Sequence, residues 1–375
     1  MSLGYVTIEK MKWVLVGLLC IRGGFGVLAQ STDSKGLQVR PAAAAQGASA
    51  TTAEAETLRG LRKQIDTGHA DEALQRIVSL RTAGPGAAGY RMAGLSRMEG
   101  LALFAQGKLR EADTAFADAL VEDKGDVESA QMRGLTLFRL GRPADAIPLL
   151  EGSKGKANGG DRKADPNYVL ALCYIDTRKY DDARHAFAAQ FGMEPDGAGA
   201  YLLAARMLLR REYLPVAQGF AEKALALQPG LPLAHALLGE IALAGNHLEE
   251  AIAQFEKEKI SNPLEPSVYD RLGDAYGRAA RYTDAQASLQ EAVLLEPNST
   301  GPYILLGKTM LKQGDALGAT TYLERAVKMD PANYMTHSLL GQAYRTMGRT
   351  EDASRETSTA QKLQTASEPK LENLH

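Results

Sequence analysis

Apolar and small residues recur along this chain with a period of 34. Pro195, Pro229, Pro263, Pro297 and Pro331 lie 34 residues apart, and Ala183, Ala217, Ala251, Ala285, Ala319 and Ala353 keep the same interval. A third ladder is Gly239, Gly273, Gly307 and Gly341, each preceded by a leucine (Leu238, Leu272, Leu306, Leu340). Within a period, positions such as Leu272, Tyr276 and Leu289 fall at helical spacing, which predicts amphipathic helices. Gly107, Gly141, Gly314 and Gly348 fall between the predicted helices, where a residue of positive φ ends the first of them. The prolines close each period because a proline cannot continue a helix. Each period thus predicts two antiparallel helices, A and B. Small residues such as Gly273 and Ala285 lie where A and B cross, so the backbones can approach closely. Three ladders in one register predict an all-α solenoid of stacked helix pairs.

The segment Tyr269-Asp-Arg-Leu-Gly273-Asp-Ala-Tyr276, continued by Ala285, Leu289, Ala292 and Pro297, resembles a tetratricopeptide repeat (TPR). Tyr303, Leu306-Gly307, Gly314, Ala319, Leu323, Ala326 and Pro331 repeat the pattern. The resemblance implies a right-handed superhelix of antiparallel helix pairs with a concave face. Its register divides residues 54–366 into nine units: 54–87, 93–126, 127–160, 164–197, 198–231, 232–265, 266–299, 300–333 and 334–366. Several departures stand out. Ala204-Ala205 replaces Leu-Gly in the fifth unit, and Glu258 replaces an alanine in the sixth. Pro148 falls inside the predicted helix B of the third unit, and glycine-rich insertions at 82–89 and 152–160 read as loops that loosen the stack. In the last unit Ser354, Thr357, Ser358 and Thr359 suit a solvent-facing cap, followed by a polar tail at 367–375.

Residues 1–29 break the pattern. Lys10 and Lys12 precede an apolar run from Trp13 to Ile21, and Val27 and Ala29 suit a signal-peptidase site. Nine helical residues rise only about 14 Å, too little for a hydrocarbon core of about 30 Å. The segment is expected to be a secretory signal, making the protein periplasmic or secreted. Arg22 leaves open an uncleaved anchor, and Leu18-Leu19-Cys20 leaves open lipidation, so membrane association through 1–29 is an alternative. Residues 30–53, rich in Ala, Ser and Thr with little apolar bulk, are expected to form a disordered linker.

Composition agrees with close-packed helices: 59 alanines against one tryptophan. Two cysteines, Cys20 and Cys173, exclude a disulfide framework and a cysteine-based zinc site. The 43 basic and 45 acidic residues (net −2) argue against nucleic acid as a partner. Motifs of chemistry are missing. Gly155-Lys156 lacks the glycine and the hydroxyl residue of a phosphate-binding loop, and no H-E-x-x-H or G-x-S-x-G occurs. His235 and His337 hold the place of Tyr201, Tyr269 and Tyr303 in sister units and are expected to pack rather than ligate. Cys173 is expected to be a buried small hydrophobe. Asp181-Asp182 and Glu249-Glu250 fall at starts of helix B, where negative charge suits the helix dipole. No catalytic residue, metal site or cofactor is assigned.

The family resemblance implies that helix A lines the concave face, through the second, fifth, ninth, twelfth and thirteenth residues of each unit. That register points to Leu101, Phe104, Leu135, Phe138, Tyr168, Leu172 and Ile175 in the N-terminal half. In the C-terminal half it points to Arg206, Arg210, Glu240, Asp270, Asp274, Arg278, Lys308, Lys312, Gln342 and Arg345. The groove is expected to be apolar at one end and charged at the other, suiting an extended peptide or a partner helix. A non-catalytic scaffold that binds a protein or peptide is the favoured reading. A membrane-anchored envelope-assembly or secretion component is the alternative, and a substrate-recruiting arm of an enzyme complex stands third.

Overall fold

The computed structural model describes the backbone of residues 42–83, 92–155 and 166–367. The expected signal or anchor at 1–29, most of both insertions and the tail beyond 367 lie outside the described residues. The chain divides into two compact units, Met1–Glu56 and Thr57–His375. Only the start of α1 (Ala42–Asp66) is described in the first. Residues 42–53 are therefore helical rather than the expected linker. The run of alanines from 42 to 45 has the highest helix propensity of any residue type, so helix A of the first unit extends backward through it.

The rest alternates A and B helices. They are α2 (Ala70–Ala83), α3 (Leu95–Ala105), α4 (Leu109–Glu122), α5 (Val127–Arg139), α6 (Pro143–Gly152), α7 (Asn167–Asp176), α8 (Tyr180–Phe191) and α9 (Ala198–Arg210). There follow α10 (Leu214–Leu227), α11 (Ala234–Ala244), α12 (Leu248–Ser261), α13 (Pro266–Arg278) and α14 (Tyr282–Leu295). The last are α15 (Thr300–Gln313), α16 (Ala316–Met329), α17 (Tyr334–Thr346) and α18 (Thr350–Ser367). Odd-numbered helices are A and even-numbered ones are B, and no strand occurs among the described residues. Pro148 lies inside α6, which has 10 residues against 14 in α4, α10, α12, α14 and α16.

The A–B crossing depends on an absent side chain. A Cβ built on Gly100 would lie 2.6 Å from the Phe116 ring, on Gly134 2.6 Å from Leu150, and on Gly239 2.7 Å from Phe255. Gly273 stands in the same relation to Leu289, and Gly307 to Leu323. In each case the bulky partner lies sixteen residues on, in helix B of the same unit. The fifth unit solves the problem differently: Ala205 takes the glycine place, and the residue sixteen on is only Ala221, both fully buried. Volume is thereby traded across the crossing.

Each A–B turn holds one residue of positive φ at the same register place. Glycine fills it five times, including Gly314 and Gly348. Arg178, Glu212, Asn246 and Ala280 fill it in the other four, with φ of 62° at Arg178 and 59° at Ala280. A left-handed non-glycine costs about 1–2 kcal/mol. The turn is held because the next amide donates back to helix A, as Arg281 N does to Tyr276 O at 2.9 Å.

Neighbouring units are joined by a repeated polar contact. Tyr276 Oη donates to Glu256 and Tyr344 Oη to Glu324, each at 2.8 Å, and Tyr174 donates likewise to Glu151. Arg281 and Arg349 cover the Tyr276 and Tyr344 rings at 4.5 and 4.2 Å. Consecutive A helices touch along most of the stack whereas consecutive B helices do not. The A helices therefore lie on the inner side of the bend, and their outward-facing residues line a concave surface.

Candidate functional site

Of the groove residues read from sequence, Tyr168, Leu172, Arg206, Glu240, Asp270 and Asp274 are half-buried. Arg210, Arg278, Lys308, Lys312, Gln342 and Arg345 are exposed. The ninth residue of each unit forms a row with one side chain per A helix: Leu172 on α7, Arg206 on α9, Glu240 on α11, Asp274 on α13, Lys308 on α15 and Gln342 on α17. Arg210, Arg278 and Lys312 lie one helical turn further along, at the C-terminal ends of α9, α13 and α15, where cations suit the helix dipole.

Two expected members belong elsewhere. Ile175, fully buried, is core, and Leu101, 8% exposed, is nearly so. The twelfth residue of a unit turns toward helix A of the next unit, as Gly277 does toward Thr309. This explains why Ile175 is covered. Arg345 occupies the same place in the last described unit. It lines a pocket with Thr350, Ala353, Ser354 and Thr357 of α18. The apolar half is also less open than expected: the guanidinium of Arg139 lies 4.9 Å over the Phe104 ring, and that of Arg211 lies 5.8 Å over Phe138. Tyr168 packs edge-on against Phe187 with ring centroids 5.8 Å apart.

The charged half divides into committed and uncommitted groups. Glu240 meets Arg271 at 3.5 Å, and Arg278 donates to Asn246 Oδ1 at 2.8 Å. Arg206, Arg210, Lys308, Lys312 and Asp274 make no ion pair or hydrogen bond with any described side chain. Asp270 is different again: its Oδ1 is screened from water and has no hydrogen-bond partner. Burial raises its carboxyl above the ordinary carboxylate range; Arg271 partly opposes this, and the charges of Asp274 and Glu296 add to it. The next unit presents Gly301 beside it, where even a Cβ would stay 3.8 Å from Oδ2.

The other candidates for chemistry are structural. His337 is buried, its ring nitrogens bonding Glu356 at 2.7 Å and the Pro331 carbonyl at 3.0 Å. Tyr269 and Tyr303 reach the corresponding Pro263 and Pro297 carbonyls, so the histidine performs the tyrosine's part. His235 bonds Gln254 at 2.8 Å. Cys173 is fully buried, and burial pushes its thiol to about 12. Among the described residues no group of His, Cys, Asp and Glu is placed to hold a metal.

Two polar groups were not legible in the repeat pattern. Glu258 is buried and accepts hydrogen bonds from the Leu233 and Ala236 amides at 2.8 and 3.1 Å. It caps α11, whose N-cap Leu233 has φ 63°. The departure from alanine was visible; its partner, 25 residues away, was not. Arg184 is 3% exposed, bonds the Pro195 carbonyl and Asp196, and lies 4.3 Å over the Tyr201 ring, tying the fourth unit to the fifth.

Sequence comparison matches residues 97–161, 168–232 and 304–356 to one tetratricopeptide repeat family and residues 266–299 to another. The chain belongs to the tetratricopeptide repeat family. The TPR matches fall on the helix pairs described above, and no curated protein matches the chain. Solved structures similar to this TPR chain include YrrB, described as a TPR protein with an unusual peptide-binding site. YrrB shares 22% identity over 49% of this chain and 95% of its own, with a TM-score of 0.42. MamA from Desulfovibrio magneticus RS-1 shares 19% identity over 46% of this chain and 97% of its own, with a TM-score of 0.43. The APC/C hetero-tetramer Cut9-Hcn1 shares 16% identity over 73% of this chain and 52% of that one, with a TM-score of 0.41.

Proposed function

We propose that this TPR chain is a non-catalytic adaptor that holds a protein or peptide partner against the concave face of its A helices. The observation that carries the reading is the set of unpaired cations there: Arg206, Arg210, Lys308 and Lys312. Elsewhere on the same solenoid some exposed arginines are matched locally, as Arg281 is to Asp284, Arg349 to Asp352 and Arg142 to Asp145, and unmatched ones such as Arg110 and Arg325 stand singly; the four here share one face of the A helices. Unmatched charge gathered on one inner surface favours an oppositely charged partner and steers its approach. The absence of a catalytic role is supported by the burial of Cys173 and the packing of His235 and His337.

Export is proposed from Lys10, Lys12 and the apolar run Trp13 to Ile21. An anchored envelope component would use the same groove and differ only in the fate of residues 1–29. The mass of the mature N-terminus separates the two; a chain retaining residues before Cys20 removes the cleaved signal. The groove is tested by cross-linked capture from the source cell, comparing wild type with the triple variant Arg206→Glu, Lys308→Glu, Lys312→Glu. Loss of specific partners from the variant is the expected result, and an unchanged partner list overturns it.

A further inference from the structure

The charges of the C-terminal half have an order along the stack. From α9 to α15 the ninth-residue row reads Arg206, Glu240, Asp274, Lys308. At its two ends the cations are doubled by Arg210 and Lys312, one turn further along their helices. Between them Asp270 joins Asp274 on α13. The intervening basic groups are already committed, Arg271 to Glu240 and Arg278 to Asn246. Two uncommitted positive ends therefore flank an uncommitted acidic centre.

We propose that the partner is an extended peptide segment whose own charges run acidic, basic, acidic along the groove. The spacing follows from helix packing. Consecutive A helices in contact lie about 10 Å apart, so α9 and α15, three units apart, are separated by about 30 Å. An extended chain advances about 3.3 Å per residue, so the two acidic groups stand about nine residues apart. The basic residue sits between them, opposite α13. Asp274 is its anchor, a half-buried carboxylate with no ion pair among the described side chains, and the charge of Asp270 one turn away on α13 adds to the attraction. A uniformly acidic segment would engage both ends but bring like charge against Asp270 and Asp274 at the centre.

This inference rests on the groove reading above, and the experiment separates the two. Fluorescence anisotropy with the full chain compares three labelled peptides of equal length and composition class: acidic–basic–acidic, acidic throughout, and basic–acidic–basic. The first is expected to bind about tenfold more tightly than either other, since several exposed pairs each contribute modestly. Arg206→Glu combined with Lys308→Glu weakens it, and Asp274→Asn weakens it while leaving the uniformly acidic peptide unaffected or improved. Equal or tighter binding of the uniformly acidic or reversed peptide overturns the charge order alone. Tight binding of the first peptide that is insensitive to the double reversal places it elsewhere and overturns the groove reading as well. Failure of all three peptides to bind overturns the inference. None of the altered side chains makes an ion pair within the protein, so the variants are expected to fold.

Discussion

The close A–B crossing makes a quantitative prediction at Gly273. Gly273→Ala places a Cβ 2.5 Å from Leu289 Cδ2 and closer still to its Cγ, in a site where Leu289 is fully buried. Neither helix backbone can retreat without disturbing the contacts to its neighbours, so overpacking of about 1–3 kcal/mol is expected. Leu289→Ala alone removes a buried side chain and leaves a cavity, costing about 2–5 kcal/mol. The double variant reproduces the Ala205/Ala221 pair already used in the fifth unit. Its cost should fall below the sum of the singles by about 1–3 kcal/mol, the coupling typical of residues in contact. Solenoids open locally as well as globally, so the suitable assay is native-state hydrogen exchange of the α13 and α14 amides, which reads the opening free energy of this unit. Strict additivity would refute the claim that glycine is present to admit Leu289.

Other expectations follow from single sites. Glu258→Ala should cost about 1–3 kcal/mol, because two buried amides lose their acceptor; faster exchange at Leu233 and Ala236 than elsewhere in α11 is the local signature, and uniform exchange counts against the cap. Asp270 has a folded-state acid constant raised above its unfolded value, so its ionisation opposes folding. Its cost is absent below the ordinary carboxylate range and grows as pH rises through the folded value. Asp270→Asn should therefore be more stable than wild type at pH 7 and not at pH 3, and an advantage independent of pH would refute this. With its thiol held near 12, Cys173 is thiolate in about one molecule in ten thousand at pH 8. Iodoacetamide followed by peptide mass spectrometry should show labelling of Cys173 only on unfolding; labelling in the native protein at the rate of a free cysteine contradicts its burial.

The fold was legible because it is written in repeated small residues. Gly273 and Ala285 mark a close crossing of helices A and B, and glycine recurs at that place in most units, with Leu61, Ala171 and Ala205 the exceptions. Contacts that use one side chain once were not legible. Glu258 looks like a lapse from alanine until the Leu233 amide is seen beside it, and Arg184 has no repeated counterpart. Turn glycines were visible, but Arg178, Glu212, Asn246 and Ala280 take the same left-handed conformation with no sequence mark. For the groove, the register puts one residue per A helix, the ninth, at a common place, although Leu101 at that place is buried. It misplaced Ile175, because the twelfth residue turns toward the following unit and is covered by it. Which charges are already matched depends on geometry between units, as Arg271 with Glu240 shows, and sequence spacing alone does not contain it.

Site-specific photo-cross-linking tests the central claim most directly. A photoreactive residue is placed at Lys308 on the inner face of α15, and in a second protein at Arg325, exposed on helix α16. The concave-groove account predicts partner adducts at 308, lost when Arg206 and Lys312 are reversed, with none at 325. Adducts at 325 in place of 308 would contradict it.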